Sequence, residues 1–258
     1  MSNQIHPTAI VATKAELGQN NTVGPYAIIE EGARLGSNNR IASHAVIKKS
    51  VRLKNDNVLF EHVVLGGTPQ YAGFDESIGT YLDVGSGNIF REGITINCGL
   101  HEGDSTRIGD RNFLMHAMHI GHDCLIGNDI TFGPLTGIGG HVEIFDKAVI
   151  SGGVMVHQFG KIGRFAMVGG NAKITRDVLP FMITDGNPAS VRGLNLVGLK
   201  RAGFKLSDIN MLKKAYRTLF SGGAQDDNLQ IIQSLNHGLC DELCAFIARS
   251  ERGFHRGK

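Results

Sequence analysis

The stretch NTVGPYAIIEEGARLGSNNRIASHAVI, residues 21–47, places an aliphatic residue at every sixth position. The same spacing runs without a gap from Ile5 to Leu65, and it returns from Val84 to Ile174 with one further break. The position four residues after each aliphatic one is mostly Ala, Val or Asn. A period of six matches neither an α-helix nor an alternating open strand, and it is typical of a hexapeptide β-helix. We therefore expect three consecutive hexapeptides, with one short strand each, to form one triangular coil.

The overall composition agrees with a repetitive β structure. The chain has 35 glycines, no tryptophan and only 7% aromatic residues, whereas a helix-packed core usually holds more aromatic side chains. The net charge of +2 gives no electrostatic argument for a nucleic-acid partner. The four cysteines form no CxxC pair, and we find neither a signal peptide nor an apolar run long enough to span a membrane. We therefore expect a protein of the reducing cytoplasm.

Asparagines recur in step with the coil. Asn21, Asn39 and Asn57 are three hexapeptides apart, and Asn88 and Asn112 continue the series once the two breaks in the repeat are allowed for. Stacked amide side chains can hydrogen-bond to their neighbours above and below. We interpret the series as a structural ladder inside one corner of the coil.

The two breaks predict loops that leave the coil, at residues 68–83 and 100–107. Loops on a rigid scaffold often carry binding groups. The longer one contains Tyr71 and Phe74, which makes it a candidate binding segment; plain surface decoration is the alternative.

The pattern changes near the C-terminus. An amphipathic helix is expected from Ser207 to the Gly222-Gly223 pair, and further helices are expected over residues 228–236 and 239–250. We therefore divide the chain into a β-helix domain, residues 1–190, and a C-terminal helical domain, residues 191–258. Residues 198–258 carry ten Lys and Arg against six Asp and Glu, so the helical part is basic.

The stretch HIGHDC, residues 119–124, places two histidines and a carboxylate where the repeat otherwise has small or apolar residues. Steps of three hexapeptides from His122 reach Gly140 and Gln158, and His141 and His157 are each one position away from those residues. The coil should therefore bring His122, His141 and His157 to one edge. A column of imidazoles beside a carboxylate and a Gly-rich corner predicts a functional site.

Two chemistries suit such a site. Three neutral imidazoles facing a neighbouring chain can bind zinc, as in trimeric β-helix enzymes that resemble gamma carbonic anhydrases. Alternatively, one imidazole is a general base that Asp123 orients. A third hypothesis is a non-catalytic β-helix assembly module whose Gly-rich corner is only structural.

Motifs along nearly the whole chain resemble one family, the acyl-carrier-protein-dependent UDP-N-acetylglucosamine O-acyltransferases, which begin lipid A synthesis in Gram-negative bacteria. The matching segments are HPTAIV (residues 6–11), HIGHDC (119–124), VHQF (156–159), VGG (168–170), DV (177–178), PF (180–181), GN (186–187), GLKR (198–201), GF (203–204) and ARS (248–250). Each motif alone is weak, but their order is specific.

The resemblance implies a left-handed parallel β-helix, a homotrimer with active sites between neighbouring subunits, and no metal or other cofactor. It implies that His122 is the general base, that Asp123 orients or polarises it, and that the Gly140 N–H holds the oxyanion. The implied substrates are a 3-hydroxyacyl carrier protein and UDP-N-acetylglucosamine. The matching substrate-binding positions are His119, His141, His157, Gln158, Gly170, Asn195, Arg201 and Tyr71. Asn195 and Arg201 match positions near the nucleotide, and Gly170 matches the position that gauges acyl length.

The chain also departs from the family pattern. Ala202 stands where a second arginine is usual, the long loop is shortened to Thr68-Pro69-Gln70 before Tyr71, and residues 96–100 read INCGL instead of IHRGT. These differences leave open a related UDP-sugar, including a 3-amino analogue acylated on nitrogen. Acyl carrier proteins are strongly acidic, so the basic helical part, with Lys213, Lys214 and Arg217, is the expected docking surface; a solvated helix face is the alternative.

Overall fold

The computed structural model describes residues 2–257, in which 28 short β-strands are followed by four α-helices. The strands of the N-terminal coils are β1 (Gln4–Ile5), β2 (Ile10–Val11), β3 (Glu16–Leu17), β4 (Thr22–Val23), β5 (Ile28–Ile29), β6 (Arg34–Leu35), β7 (Arg40–Ile41), β8 (Val46–Ile47), β9 (Val51–Leu53), β10 (Val58–Leu59) and β11 (Val64–Gly67). The next strands are β12 (Tyr81–Val84), β13 (Ile89–Phe90), β14 (Thr95–Asn97), β15 (Ser105–Ile108), β16 (Phe113–Leu114), β17 (His119–Ile120), β18 (Leu125–Ile126), β19 (Thr131–Phe132) and β20 (Gly137–Ile138). The last strands are β21 (Glu143–Ile144), β22 (Val149–Ile150), β23 (Met155–Val156), β24 (Lys161–Ile162), β25 (Met167–Val168), β26 (Lys173–Ile174), β27 (Met182–Gly186) and β28 (Ala189–Leu194). The helices are α1 (Leu196–Arg201), α2 (Leu206–Leu219), α3 (Gln225–Gln233) and α4 (Gly238–Ala248).

Strands β1–β27 pair in parallel in three sheets, because each coil contributes one strand to each face of a triangular prism, and β28 is added to the first sheet in antiparallel orientation. The strand orders are β1-β4-β7-β10-β13-β16-β19-β22-β25-β27-β28, β2-β5-β8-β11-β14-β17-β20-β23-β26 and β3-β6-β9-β12-β15-β18-β21-β24. Each regular coil advances the chain by three hexapeptides, so Gln4 pairs with Thr22 and His119 pairs with Gly137. The predicted left-handed parallel β-helix with C-terminal helices is confirmed.

The repeating aliphatic residues fill the interior of the prism. Every one of them from Val23 to Ile174 is buried, whereas Ile5, Val11 and Leu17 in the first coil are at least partly exposed because no earlier coil covers them. Burying such side chains contributes roughly 1.5–3 kcal/mol each before conformational entropy is subtracted. The repeat therefore builds the hydrophobic core directly.

The predicted asparagine ladder is confirmed. The Nδ2 atoms of Asn39, Asn57 and Asn88 each donate to the Oδ1 of the preceding asparagine at 3.0–3.1 Å, and all these side chains are buried. Asn112 joins the series through its backbone N–H, which donates to Asn88 Oδ1 at 2.9 Å. The ladder satisfies buried amide groups that otherwise destabilise the interior.

The predicted loops are shorter than expected at their C-terminal ends. Residues 81–83 belong to β12 and residues 105–107 belong to β15. These two strands pair with each other over four residues, Tyr81 with Ser105 through Val84 with Ile108. The six-residue repeat did not predict these residues as strand, because β12 and β15 each begin three residues before the aliphatic position, Val84 or Ile108, at which they end. The chain leaves the coil between β11 and β12 and again between β14 and β15.

The C-terminal part closes the end of the β-helix. Strands β27 and β28 form an antiparallel hairpin at the edge of the first sheet. Helices α2, α3 and α4 confirm the three predicted helices, and α1 was not predicted. The tail returns to the coil region, where Phe254 bridges to Asp177 and Gly257 bridges to Val191. The boundary between residues 190 and 191 stays a prediction. In the described part of the chain, no helix is both long and apolar enough to cross a bilayer.

Candidate active site

One corner of the prism carries the residues of HIGHDC that follow β17. Asp123, His141 and Phe159 occupy equivalent places in three successive coils, and each has a left-handed backbone with φ between 58° and 64°. Asp and His are among the residues that tolerate this conformation best. Because each coil repeats the path of the one before it, the three side chains stand in one column, and His122 precedes the first of them.

His122 and Asp123 form the central pair of the site. The Nδ1 of His122 lies 2.8 Å from Asp123 Oδ2, and both side chains are largely buried. A carboxylate can only accept this hydrogen bond, so the neutral imidazole carries its proton on Nδ1 and leaves Nε2 as an acceptor. The Leu100 N–H also donates to Asp123 Oδ2 at 3.2 Å. The loop after β14 therefore helps to hold the carboxylate.

Gly140 lies directly against the imidazole of His122. A Cβ on Gly140 would be 2.6 Å from His122 Cε1 and 2.7 Å from Nε2, which is closer than any real contact. Its backbone N–H makes no hydrogen bond to any residue in the range 2–257, while its carbonyl accepts from the Phe159 N–H at 3.0 Å. A glycine is therefore required beside His122, and its backbone N–H is left without an acceptor in the described chain.

His141 links the pair to an aromatic ring that sequence reasoning missed. Its imidazole meets the His122 ring edge-on, with ring centres 5.0 Å apart, and its Nε2 lies 3.7 Å from Asp123 Oδ2. On its other side it stacks on Phe159 at 4.5 Å with the planes 6° apart. The sequence signal that could have predicted this contact is the spacing of 18 residues, one full coil, from His141 to Phe159.

The other predicted histidines lie at the margins of this cluster. His119 is on β17, where its Nδ1 lies 2.8 Å from the Thr95 hydroxyl, and burial lowers the pKa of its imidazole. His157 and Gln158 follow β23, and the His157 Nδ1 lies 3.0 Å from the Gln158 carbonyl oxygen. Within the described residues, no ring stacking or hydrogen bond joins His157 to His122 or His141. The structure thus brings together His122, Asp123 and His141, with Gly140 against the His122 ring.

The remaining predicted binding residues occupy other regions. Gly170 is exposed, and a Cβ there would meet nothing closer than 3.5 Å. Asn195 caps α1 by accepting from the Gly198 N–H, and its Nδ2 donates to the Phe165 carbonyl, so the side chain has a structural role. Arg201 ends α1 and is exposed, and Tyr71 is 59% exposed in the loop between β11 and β12. Their predicted contacts with substrate stay predictions.

The cluster and its neighbour Cys124 raise two other possibilities, a metal site and a cysteine nucleophile. One donor atom each from His122, Asp123 and His141 lies within 4.8 Å of the others, which is close enough for a shared ion. The neighbouring Cys124 is unsuited to nucleophilic catalysis, because burial raises the pKa of its thiol to about 12 and the thiol donates to the Gly139 carbonyl. The arrangement fits an imidazole base oriented by a carboxylate.

Two family models match parts of the chain. One, described as UDP N-acetylglucosamine O-acyltransferase domain 2, matches residues 177–255, and the other, the bacterial transferase hexapeptide model of six repeats, matches residues 14–49. The acyl-[acyl-carrier-protein]–UDP-N-acetylglucosamine O-acyltransferase of Halorhodospira halophila is 40% identical over 257 residues, which cover 98% of this chain and 99% of that protein. The enzyme of the same name from Alkalilimnicola ehrlichii is 44% identical over 181 residues, 69% of this chain and 70% of that protein.

Solved structures agree with these relatives. The UDP-N-acetylglucosamine acyltransferase of Campylobacter jejuni is 34% identical and superimposes with a TM-score of 0.93 over 99% of this chain and 100% of that one. The Francisella novicida enzyme of the same name is 30% identical, with a TM-score of 0.95 over 98% of this chain and 94% of that one. The chain therefore belongs to the family of acyl-[acyl-carrier-protein]–UDP-N-acetylglucosamine O-acyltransferases.

Proposed function

We propose that this chain transfers a 3-hydroxyacyl group from acyl carrier protein to the 3-hydroxyl of UDP-N-acetylglucosamine, the first step of lipid A synthesis. The observation that carries the proposal is the 2.8 Å hydrogen bond between His122 Nδ1 and Asp123 Oδ2 in a member of this family. It leaves His122 Nε2 free to accept a proton from the sugar hydroxyl.

In the proposed reaction, His122 Nε2 removes the proton of the 3-hydroxyl as its oxygen attacks the thioester carbonyl. Asp123 stabilises the imidazolium that forms. The tetrahedral intermediate collapses by breaking the carbon–sulfur bond, and the carrier-protein thiolate takes the proton back from His122. The ester is thereby formed with no net change in protonation of the enzyme.

Gly140 supplies the proposed oxyanion donor. Its N–H has no acceptor among residues 2–257, and the Cβ position of Gly140 lies against the imidazole, so the N–H is available to the oxygen of the intermediate. Around this centre we assign substrate binding to the remaining predicted positions. They are His119, His141, His157, Gln158, Gly170, Asn195, Arg201 and Tyr71.

The carrier protein is proposed to dock on the basic helical surface. Lys214 and Arg217 of α2 are exposed, Lys213 is partly exposed, and none of the three forms an ion pair with another described residue. Free cationic groups of this kind steer an acidic partner and make its association rate salt-dependent. We also propose a homotrimer that works in the reducing cytoplasm, where the four buried free cysteines stay reduced.

The direct test replaces His122 by Ala. We expect no acyl transfer above background, with an unchanged circular dichroism spectrum and an unchanged oligomeric mass by light scattering. Product masses report the reaction when the protein is incubated with 3-hydroxyacyl carrier protein and UDP-N-acetylglucosamine. Retained turnover in the variant would remove His122 from the role of base.

A related sugar is a second candidate substrate, because of what stands in place of the IHRGT pattern. Asn97 and Cys98 stand where that pattern has His and Arg, and neither an amide nor a thiol carries a positive charge. The Asn97 Nδ2 donates to the Thr68 carbonyl at 2.9 Å, and Cys98 is only 2% exposed. A 3-amino analogue of the nucleotide sugar therefore belongs in the substrate panel. A product bearing an amide, formed at a higher kcat/KM than the ester, would make the amino sugar the substrate.

The zinc hypothesis is tested separately by metal analysis of the purified protein. The donor atoms of His122, Asp123 and His141 are near enough to one another to share an ion. About one zinc per subunit, with activity lost to a chelator and restored by zinc, would replace the general-base mechanism. Acyl transfer that is insensitive to a chelator would support the general-base mechanism.

A further inference from the structure

We propose that Phe159 is a positioning residue that holds the His141 imidazole against the His122–Asp123 pair. The inference rests on the proposed function, since it assigns Phe159 a role in that same site. Phe159 stacks on His141, and His141 in turn lies against both His122 and Asp123.

The ring geometry is what Phe159 supplies. Its plane lies 6° from that of His141 at a centroid distance of 4.5 Å, while His141 and His122 meet at 90°. A parallel ring against one face disfavours rotation of the imidazole about its χ2 angle, because such a rotation breaks the stacking. The edge of His141 therefore remains directed at His122 and Asp123.

Neither burial nor backbone preference accounts for a phenylalanine at this corner. The side chain is 49% exposed, and its φ of 64° is a left-handed value that bulky residues rarely adopt. Two other corner phenylalanines with positive φ, Phe165 and Phe181, are buried in the hydrophobic core. Among the contacts within residues 2–257, the stacking on His141 is the interaction that favours an aromatic ring here.

The first variants are Phe159→Leu, which removes the planar ring but keeps a large apolar group, and Phe159→Tyr, which keeps the ring. We expect Phe159→Leu to lower kcat/KM by about three- to tenfold, the range for loss of one aromatic pair. The loss should divide between kcat and KM in the same proportion as in His141→Ala. Phe159→Tyr should retain activity within about twofold of wild type.

A double-mutant cycle tests whether Phe159 acts through His141. In a His141→Ala background, Phe159→Leu should have no further effect on kcat/KM. A further loss equal to that in the wild-type background would mean that Phe159 acts independently of His141, and it would overturn the proposal. So would a Phe159→Leu enzyme with wild-type kcat/KM.

Tyr26 offers a matched control in the N-terminal coils. It has a φ of 58°, is 57% exposed and stacks on His44 with ring centres 5.2 Å apart. Tyr26→Leu removes the same kind of contact and should leave kcat/KM unchanged. An equal loss in Tyr26→Leu would assign both effects to the general stability of the fold and would overturn a positioning role.

A readout without substrate separates this inference from the proposed reaction. The face of Phe159 should shift the His141 ring-proton resonances upfield, and the shift should vanish in Phe159→Leu. A wild-type protein that shows the shift but transfers no acyl group would refute the proposed reaction. A missing shift in the wild type would overturn the positioning role itself.

Discussion

Replacing Gly140 by Ala should impair catalysis by displacing the His122 imidazole, and the size of this displacement follows from the distances around Gly140. The added Cβ would lie 2.6 Å from His122 Cε1, 2.7 Å from Nε2 and 3.1 Å from Nδ1. Carbon atoms in ordinary contact stand about 3.5 Å or more apart, so the ring must retreat by about 0.9 Å. A misplacement of about 1 Å at a reacting group costs on the order of 100-fold in rate. We therefore expect kcat to fall by about two orders of magnitude.

The assay follows product mass against time at saturating UDP-N-acetylglucosamine and carrier-protein thioester. Gly238→Ala is the control, because a Cβ at that position in α4 meets no atom within 4 Å. The thermal midpoint of Gly140→Ala is measured in parallel, so that a loss of kcat through unfolding is distinguished from a displacement of the His122 ring. A kcat within twofold of wild type would refute the reasoning that His122 must stay where it is.

Four further predictions follow from single contacts. Asp123→Asn should lower kcat by about 10²–10⁴-fold without unfolding the protein, because the amide cannot stabilise the imidazolium; steady-state kinetics with circular dichroism check this. Asn39→Ala should lower the free energy of unfolding by about 1–3 kcal/mol, measured by denaturant titration, since the N–H and Nδ2 of Asn57 lose their shared acceptor. The Nε2 of His255 accepts from the Arg176 N–H, and burial lowers the pKa of its ring in the folded chain. As the pH falls below about 6.5, the unfolded chain takes up this proton before the folded chain does, so the free energy of unfolding should decrease. Thermal melts at several pH values should show a shallower decrease in His255→Gln. Cys124, with a thiol pKa of about 12, should resist alkylation at pH 8 until denaturant is added, as mass spectrometry can show.

The repeat made most of the fold predictable. A buried position in every hexapeptide can be satisfied by stacked triangular coils, and this local rule holds for all aliphatic positions from Val23 to Ile174. It also predicted the asparagine ladder, because residues three hexapeptides apart become neighbours. The rule fails where strands lengthen, as in β12 and β15, and it gave no signal for the short helix α1.

The sequence by itself determined the coil, the family and the placement of His122 beside Gly140 one turn later. It did so because a β-helix converts sequence spacing into spatial spacing, so that a step of three hexapeptides along the chain predicts a contact. The tertiary structure alone decided which neighbours touch. The same step from Asp123 leads to His141 and then to Phe159. Phe159, and not His157, therefore follows His141 in the column, and His157 has no ring stacking or hydrogen bond with His122 or His141 in the described chain. The direction of a side chain at a corner depends on φ and on the packing of adjacent coils, and neither can be read from the spacing of residues in the sequence.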